Sequence, residues 1–87
     1  MTLTPSITPE VLIDLVETRR KAIEKHGNQD APDLVWIAIQ NEEVDEVREA
    51  VFAGDQQAAY EECLDAAAAF LFHAEAVKRR GVDTMLE

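Results

Sequence analysis

The sequence predicts an all-α fold, in which three main antiparallel helices form one domain over residues 1–87. Helix start and stop residues divide the chain into three segments, and no segment alternates apolar and polar residues as a strand does. Only Gly54-Asp55 interrupts the pattern between the second and third segments. A connection this short makes those two helices an antiparallel hairpin.

The first helix is predicted over about 9–26. Thr8 is a suitable N-cap, Pro9 stands at the first helical position, where its missing N–H costs nothing, and Glu10 places an acid in the first turn. Gly27 follows two basic residues and provides the stop. These signals bound a helix of about five turns.

The second and third helices are bounded in the same way. A polar loop leads to Pro32, where proline favours a helix start, and the second helix is predicted over about 32–53. Asp55 is suited to cap a third helix over about 56–80, and Gly81 ends it.

Helix three is apolar around most of its circumference. The run Ala66 to Ala69 gives it a narrow cross-section, whereas Phe70, Leu71 and Phe72 spread large apolar groups around it. A helix of this kind is buried on several sides, and a chain of 87 residues cannot enclose it alone. We therefore expect a homodimer or homotetramer built around helices two and three, with a four-helix-type bundle core that forms through oligomerisation.

The chain carries a formal net charge of −10, from 18 acidic and 8 basic residues. This charge argues against nucleic acid or an anionic membrane as a partner, and the longest apolar run is far shorter than a membrane span. The single cysteine, Cys63, cannot form an intramolecular disulfide and is expected to be a buried thiol. Because the N-terminus lacks a signal-peptide pattern, we expect a cytoplasmic protein.

Two groups of acidic residues lie on consecutive predicted helices. The first is Glu42-Glu43-Val44-Asp45-Glu46, and the second is Glu62-Cys63-Leu64-Asp65. Within each group, carboxylates three residues apart fall on one helix face, and the hairpin brings the two faces together. Converging carboxylates form a site for hard cations such as Mg²⁺.

A helical wheel at about 100° per residue separates these acids from ordinary surface charges. Asp45 and Glu49 fall on the water-facing sector of helix two. Four acids fall on sectors that are otherwise apolar, namely Glu43, Glu46, Glu62 and Asp65. Burying unpaired carboxylates is costly, so bound metal is the economical explanation. The alternative is a polar core in which these acids pair with Arg19, Arg20 or Lys21.

The pattern Glu-Glu-x-x-Glu followed by Glu-x-x-Asp resembles the signature of the MazG-like all-α nucleoside triphosphate pyrophosphohydrolases. The two acidic groups carry the resemblance, together with Trp36-Ile37-Ala38-Ile39 and the apolar run after Asp65, over roughly residues 20–80. Asp45 and Leu64 stand where members of that family often carry a small residue, commonly glycine.

The resemblance implies hydrolysis of a nucleoside or deoxynucleoside triphosphate to the monophosphate and pyrophosphate, which would control a nucleotide pool. It also implies that Mg²⁺, or Mn²⁺ in its place, is held by Glu43, Glu46, Glu62 and Asp65. Such an ion neutralises the triphosphate and lowers the pKa of an attacking water. Glu42, next to these ligands, is the candidate catalytic residue, which either orients a ligand or accepts the proton of the water.

Candidate substrate contacts lie near the helix ends. Two basic groups are candidates to bind the β- and γ-phosphates, from the same or a neighbouring subunit: Lys25 with Arg19, Arg20 and Lys21 on helix one, and Lys78, Arg79 and Arg80 on helix three. Cations at helix C-termini also stabilise the macrodipole. Trp36 is a candidate either to stack on a nucleobase or to fill the core. His26 is a candidate base contact or simply a helix end.

Two other functions stay open at this stage. Phosphoribosyl-ATP pyrophosphatase, a short relative, uses the same two-helix chemistry, but it usually has a longer basic and Ser/Thr-rich lead into the first acidic group than Trp36 to Gln40 provides. The second alternative is a non-catalytic helical module that keeps the acids for metal binding or oligomerisation, since a ligand set does not prove turnover.

Overall fold

A computed structural model describes residues 7–27 and 30–83 of the chain. The helices are α1 (Pro9–His26), α2 (Asp33–Phe52) and α3 (Gln56–Arg80), and the described ranges contain no strand. The predicted all-α fold is therefore confirmed, and each helix ends within about one residue of its predicted limit. None of these helices has an apolar stretch long enough to cross a lipid bilayer.

The helix ends use the residues that the sequence indicated. The Thr8 side chain accepts a hydrogen bond from the Val11 amide at 3.4 Å, and Asp55 accepts one from the Ala58 amide at 3.0 Å. Gly27 and Gly81 end α1 and α3 with φ of +74° and +83°, a region that glycine adopts without a steric cost.

Helix α3 is the central element, because the backbones of α1 and α2 each lie close to it and, within the described residues, do not lie close to each other. The start of α2 meets the end of α3, where Asp33 contacts His73, so these helices are antiparallel. Helix α1 runs in the same direction as α3. Asp14 accepts a hydrogen bond from the Tyr60 hydroxyl at 2.5 Å, and further along both helices Arg19 pairs with Glu75.

The hydrophobic core of the single chain is small. Its buried apolar residues are Trp36, Ala50, Leu64, Ala68, Ala69 and Ala76. Four of the six are alanines, and no large side chain in the described ranges is completely enclosed. A core with so few large residues provides little hydrophobic stabilisation for a domain of this size.

Apolar residues are instead exposed on all three helices. At about 100° per residue, one set of them falls on the side of each helix away from the residues that line the cleft described below, and we call this set the back face. It consists of Leu12 and Val16 of α1, Ile37, Val44 and Val51 of α2, and Cys63 and Phe70 of α3. Val16 is 61% exposed, Val51 55% and Phe70 50%. The expectation that Cys63 is buried is wrong for the single chain, because Cys63 is on the side of α3 that no other helix covers.

A polar network joins the beginning of α2 to the end of α3. Asp33 is only 6% exposed and accepts hydrogen bonds from His73 Nε2 at 3.0 Å, from Arg80 at 3.1 Å and from the Asp83 amide at 2.7 Å. The other ring nitrogen of His73 lies 2.7 Å from Gln40 Nε2. The Asp83 amide, then His73 and Arg80, hold the pKa of Asp33 below its ordinary value, so this carboxylate stays charged.

Candidate functional site

Acidic side chains from α2 and α3 converge where the two helices pack. Glu43, Glu62 and Asp65 each offer a carboxylate oxygen, and these three oxygens lie within 4.8 Å of one another. Oxygen ligands around Mg²⁺ lie at 2.0–2.1 Å from the ion, hence roughly 3–4 Å apart. Small side-chain rotations therefore suffice to close the three oxygens around one ion.

Glu46 is the fourth member of this group, one turn after Glu43 on α2. Its carboxyl group is close enough to Glu43, Glu62 and Asp65 to raise the pKa of all three. The structure thus places three of the four predicted metal ligands within 4.8 Å of one another, and Glu46 lies near them but outside this group. We refer to Glu43, Glu46, Glu62 and Asp65 as the four-carboxylate cluster.

Three carboxyl groups of this cluster, those of Glu43, Glu62 and Asp65, have raised pKa values. Burial, followed by repulsion from Glu46, Asp65 and Glu62, raises the pKa of Glu43 to about 7. The pKa of Glu62 is raised by a hydrogen bond with Glu46 and by burial, and that of Asp65 by partial burial and by the charges of Glu46 and Glu61. A divalent cation would remove this repulsion without requiring protons.

Two oxygens of the cluster, Glu43 Oε2 and Glu62 Oε2, are buried and accept no hydrogen bond from an N–H or hydroxyl group. The Glu46 carboxyl is close to both glutamates, but it can hydrogen-bond to them only if one carboxyl of the pair is protonated. A buried polar atom without a partner destabilises the fold, and a charged one does so more strongly. These oxygens and their neighbours have the chemistry of a hard-cation ligand set, so the residues present fit a bound Mg²⁺.

The arginines of α1 do not neutralise the cluster. Arg19 pairs with Glu75 and lies over the Phe72 ring, and Arg20 pairs with Glu17 and Glu24. Among the residues that the structure describes, no ion pair reaches the four-carboxylate cluster. The alternative of a polar core with Arg19, Arg20 or Lys21 is therefore not the arrangement that forms.

A cleft of about 750 Å³ opens beside the cluster, between α1 and α2 and above α3. Its polar lining consists of Thr18, Lys21, Lys25, His26, Glu43, Glu61 and Asp65. Its apolar lining includes Trp36, Ile39, Leu64 and Phe72. A cleft of this volume is large enough for a nucleotide-sized ligand.

Three of the predicted substrate residues line this cleft. Lys25 and His26 face it from α1, and Trp36 from α2. Trp36, however, is only 3% exposed, and its ring stacks with Phe72 and His73 at centroid distances of 6.1 and 6.2 Å. The ring serves the core in this conformation, and stacking on a nucleobase would require it to be uncovered.

Lys78 and Arg80 are not part of the cleft lining. Arg80 donates hydrogen bonds to Asp30, to Asp33 and to the Ala31 carbonyl, so its guanidinium group ties the segment before α2 to the end of α3. Lys78 is exposed on α3. Neither residue therefore contacts a ligand in this cleft from the same chain, and a phosphate contact by either from a neighbouring subunit stays a prediction.

Some residues near the site do not match the sequence-based assignment. Glu42, the predicted catalytic residue, is exposed and does not line the cleft, so its role stays a prediction. Glu61 was not predicted as a site residue, yet it lines the cleft, and so does Lys21, which the sequence named only as one member of a basic group on α1. The signal for Glu61 was available, since it stands four residues before Asp65 and therefore on the same helix face.

Comparisons with family models, with curated proteins and with solved structures find no match to this chain. The resemblance described above is therefore carried by the sequence motifs alone. Any function has to be argued from the four-carboxylate cluster, the cleft beside it and the charges that line the cleft.

Proposed function

We propose that this protein is a Mg²⁺-dependent nucleoside or deoxynucleoside triphosphate pyrophosphohydrolase, which releases the monophosphate and pyrophosphate. The observation that carries the proposal is the convergence of Glu43, Glu62 and Asp65, with two of their oxygens buried and lacking a donor, beside a cleft that Glu43 and Asp65 line. Glu46 lies close to this group. The spacing of these acids on two helices is also the part of the sequence that resembles the MazG-like enzymes.

The chain's own residues have separate tasks in this proposal. The four-carboxylate cluster holds the metal ion, which when bound neutralises phosphate charge and lowers the pKa of an attacking water. Lys25 on the opposite wall binds phosphate oxygens, and Glu42 orients a ligand or accepts a proton from the water. The apolar lining of the cleft excludes water from the rest of the ligand.

Electrostatics make a divalent cation essential to this function. A triphosphate is strongly anionic, and the cluster adds up to four negative charges on the wall that it must approach. Without a cation the site repels its substrate. Activity should therefore be absent in a chelator and return when Mg²⁺ or Mn²⁺ is added.

The test is a panel of ribo- and deoxynucleoside triphosphates, assayed for pyrophosphate rather than phosphate. We expect Glu43→Gln and Asp65→Asn to lower turnover by about 100-fold or more, because even residues that only support metal ligands are worth 10–100-fold. Asp45→Asn, an exposed acid on α2, is the matched control and should leave turnover unchanged.

Three results would overturn the proposal. If the protein cleaves phosphoribosyl-ATP and no other nucleotide, it is a phosphoribosyl-ATP pyrophosphatase of histidine biosynthesis instead. Mg²⁺ binding without cleavage of any nucleotide would favour the non-catalytic metal-binding module. If Glu43→Gln, Asp65→Asn and Asp45→Asn all have the same turnover, the activity does not depend on the four-carboxylate cluster.

We further propose that a second copy of the chain covers the back face and completes a four-helix-type bundle core. The single chain buries few large apolar residues while side chains such as Val16, Val51 and Phe70 stay exposed on one side. Exposed apolar surface of this kind marks an interface, and a small domain gains stability by burying it in a dimer. At about 100° per residue, Cys63 and Phe70 fall on the opposite side of α3 from the residues that line the cleft, so a second copy there would leave the cleft open.

Light scattering after size exclusion tests this assembly. Wild type should have at least twice the mass of one chain, and Val44→Glu should dissociate it, because a charge would be buried in the interface. Val82→Glu is the matched control, since Val82 is exposed beyond the end of α3. A monomeric wild type, or equal masses for the two variants, contradicts the proposal.

A further inference from the structure

The basic residues of this chain divide into two groups. All five arginines form ion pairs: Arg19, Arg20, Arg48, Arg79 and Arg80. The three lysines, Lys21, Lys25 and Lys78, form no ion pair with any residue in the described ranges. In a chain with 18 acidic residues, unpaired cations are the exception.

Two of the three lysines line the cleft. Lys21 and Lys25 are one turn apart on α1, on the wall that faces Glu43 and Asp65. Neither ammonium group closes onto these acids, so the cleft keeps a positive wall and a negative wall apart. A ligand that joins the two walls must present a cation to one and negative charge to the other.

Stabilisation of the helix macrodipole is a common reason for basic residues on a helix, and of Lys21 and Lys25 it explains only Lys25. Lys25 is in the last turn of α1, where a cation stabilises the macrodipole. Lys21 is more than one turn from the end, where that effect has faded. The charge of Lys21 contributes less than that of Arg20 to the lowered pKa of Glu17. Lys21 forms no ion pair with another residue in the described ranges.

We propose that Lys21 and Lys25 together bind the outer phosphates of a triphosphate chain whose inner phosphate lies at the four-carboxylate cluster. This inference rests on the proposed function and adds Lys21 as a substrate-binding residue. Side chains one turn apart lie about 5–6 Å from each other, so two ammonium groups reach adjacent phosphoryl groups where one would not. The pair selects triphosphates over monophosphates, since a monophosphate held at the cluster does not reach it.

The same arrangement predicts which product inhibits the enzyme more strongly. Pyrophosphate with Mg²⁺ still contacts both walls, whereas the nucleoside monophosphate contacts only the acidic one. Pyrophosphate should therefore inhibit at a concentration at least about 10-fold lower than the monophosphate does.

Trp36 provides a binding readout that does not depend on turnover, because it is the only tryptophan of the chain and lines the cleft. Inorganic tripolyphosphate with Mg²⁺ is the probe, titrated against wild type and four variants. These are Lys21→Ala, Lys21→Arg, Lys25→Ala and Lys78→Ala, each checked by circular dichroism for helix content.

We expect Lys21→Ala and Lys25→Ala each to weaken tripolyphosphate binding by about 10-fold or more, and to raise KM for the triphosphate more than they lower kcat. Lys21→Arg should restore most of the affinity. Lys78→Ala should stay within about 2-fold of wild type, because Lys78 is an unpaired lysine outside the cleft.

The outcomes separate this inference from the function on which it rests. If nucleotides are cleaved but Lys21→Ala binds tripolyphosphate as Lys78→Ala does, the proposed role of the two lysines is wrong and the proposed enzyme activity is retained. If Lys21→Ala weakens tripolyphosphate binding while no nucleotide is cleaved, the proposed enzyme activity is wrong and the contact between the lysines and the anion is retained. If wild type does not bind tripolyphosphate at all, the inference is overturned.

Discussion

His73 Nε2 lies 3.0 Å from Asp33 Oδ1, and this contact fixes the register in which α2 packs against α3. Glu43 lies ten residues after Asp33 on α2, about 15 Å along the helix axis. A position about 15 Å before His73 on α3, towards the N-terminus, falls between Glu62 and Asp65. A single polar contact at one end of the hairpin therefore aligns the acids of the four-carboxylate cluster.

Removing the nitrogens of His73 should destabilise the hairpin. His73→Phe keeps a ring beside Trp36 but leaves Asp33 and Gln40 without this partner, so we expect a loss of about 1–3 kcal/mol in the free energy of unfolding. Urea unfolding followed by circular dichroism measures it. His26→Phe, at the exposed end of α1, should change stability by less than about 0.5 kcal/mol. Equal effects of the two substitutions would exclude His73 as the register contact.

The metal-free protein should lose stability as the pH rises from about 5 to 8. The pKa of Glu43 is about 7 in the folded chain and near 4.5 when unfolded, so the folded state binds more protons in this window and ionisation favours unfolding. Because the carboxyl group is partly solvated, we expect about 1–2 kcal/mol, measured by urea unfolding in a chelator.

Glu43→Gln has no proton to lose at this position and should flatten this pH dependence. Glu49→Gln, an exposed acid on the same helix, is the control and should leave it intact. A metal-free wild type that is as stable at pH 8 as at pH 5 would show that the folded state does not hold these protons.

Mg²⁺ should stabilise the protein at pH 8. At ten times its dissociation constant a single bound ion adds about 1.4 kcal/mol to the free energy of unfolding, which a thermal scan detects as a higher Tm. Glu62→Gln should remove the increase and Glu49→Gln should retain it. The same rise in both variants would mean that Mg²⁺ binds away from the cluster.

Glu42→Gln should separate catalysis from metal binding. Glu42 does not line the cleft, so its loss should leave the Mg²⁺-dependent rise in Tm unchanged. If Glu42 accepts the proton of the attacking water, kcat falls by about 100-fold or more. The assay is pyrophosphate release at saturating substrate, beside Glu49→Gln. A kcat equal to that of Glu49→Gln would remove Glu42 from the reaction.

Local signals in the sequence predicted the elements well. Thr8 and Asp55 act as the caps that their residue types indicated, and Gly27 and Gly81 stop their helices. Caps and stops depend on a few neighbouring residues, so they can be recognised without tertiary information. The convergence of the acids was also predictable, because it needs only helical spacing and a short connection.

Contacts between distant parts of the chain were not predictable in the same way. Arg80 was expected to meet phosphate, but its partners Asp30 and Asp33 lie about fifty residues away in sequence. The sequence offered Lys21 only as one of several basic residues of α1 that could meet the acids or a phosphate, and its position on the cleft wall depends on where α1 crosses α3. Such positions follow from packing, which no local pattern encodes.

In the part of the chain that the structure describes, the backbones of α1 and α2 approach α3 but not each other, so the two walls of the cleft are held separately. The hairpin of α2 and α3 carries the acids, and α1 carries the basic wall while resting on α3 alone. Substitutions in α1 can therefore alter which ligands are accepted without shifting a single carboxylate. A chain arranged in this way can diversify its substrates in evolution while its chemistry is conserved.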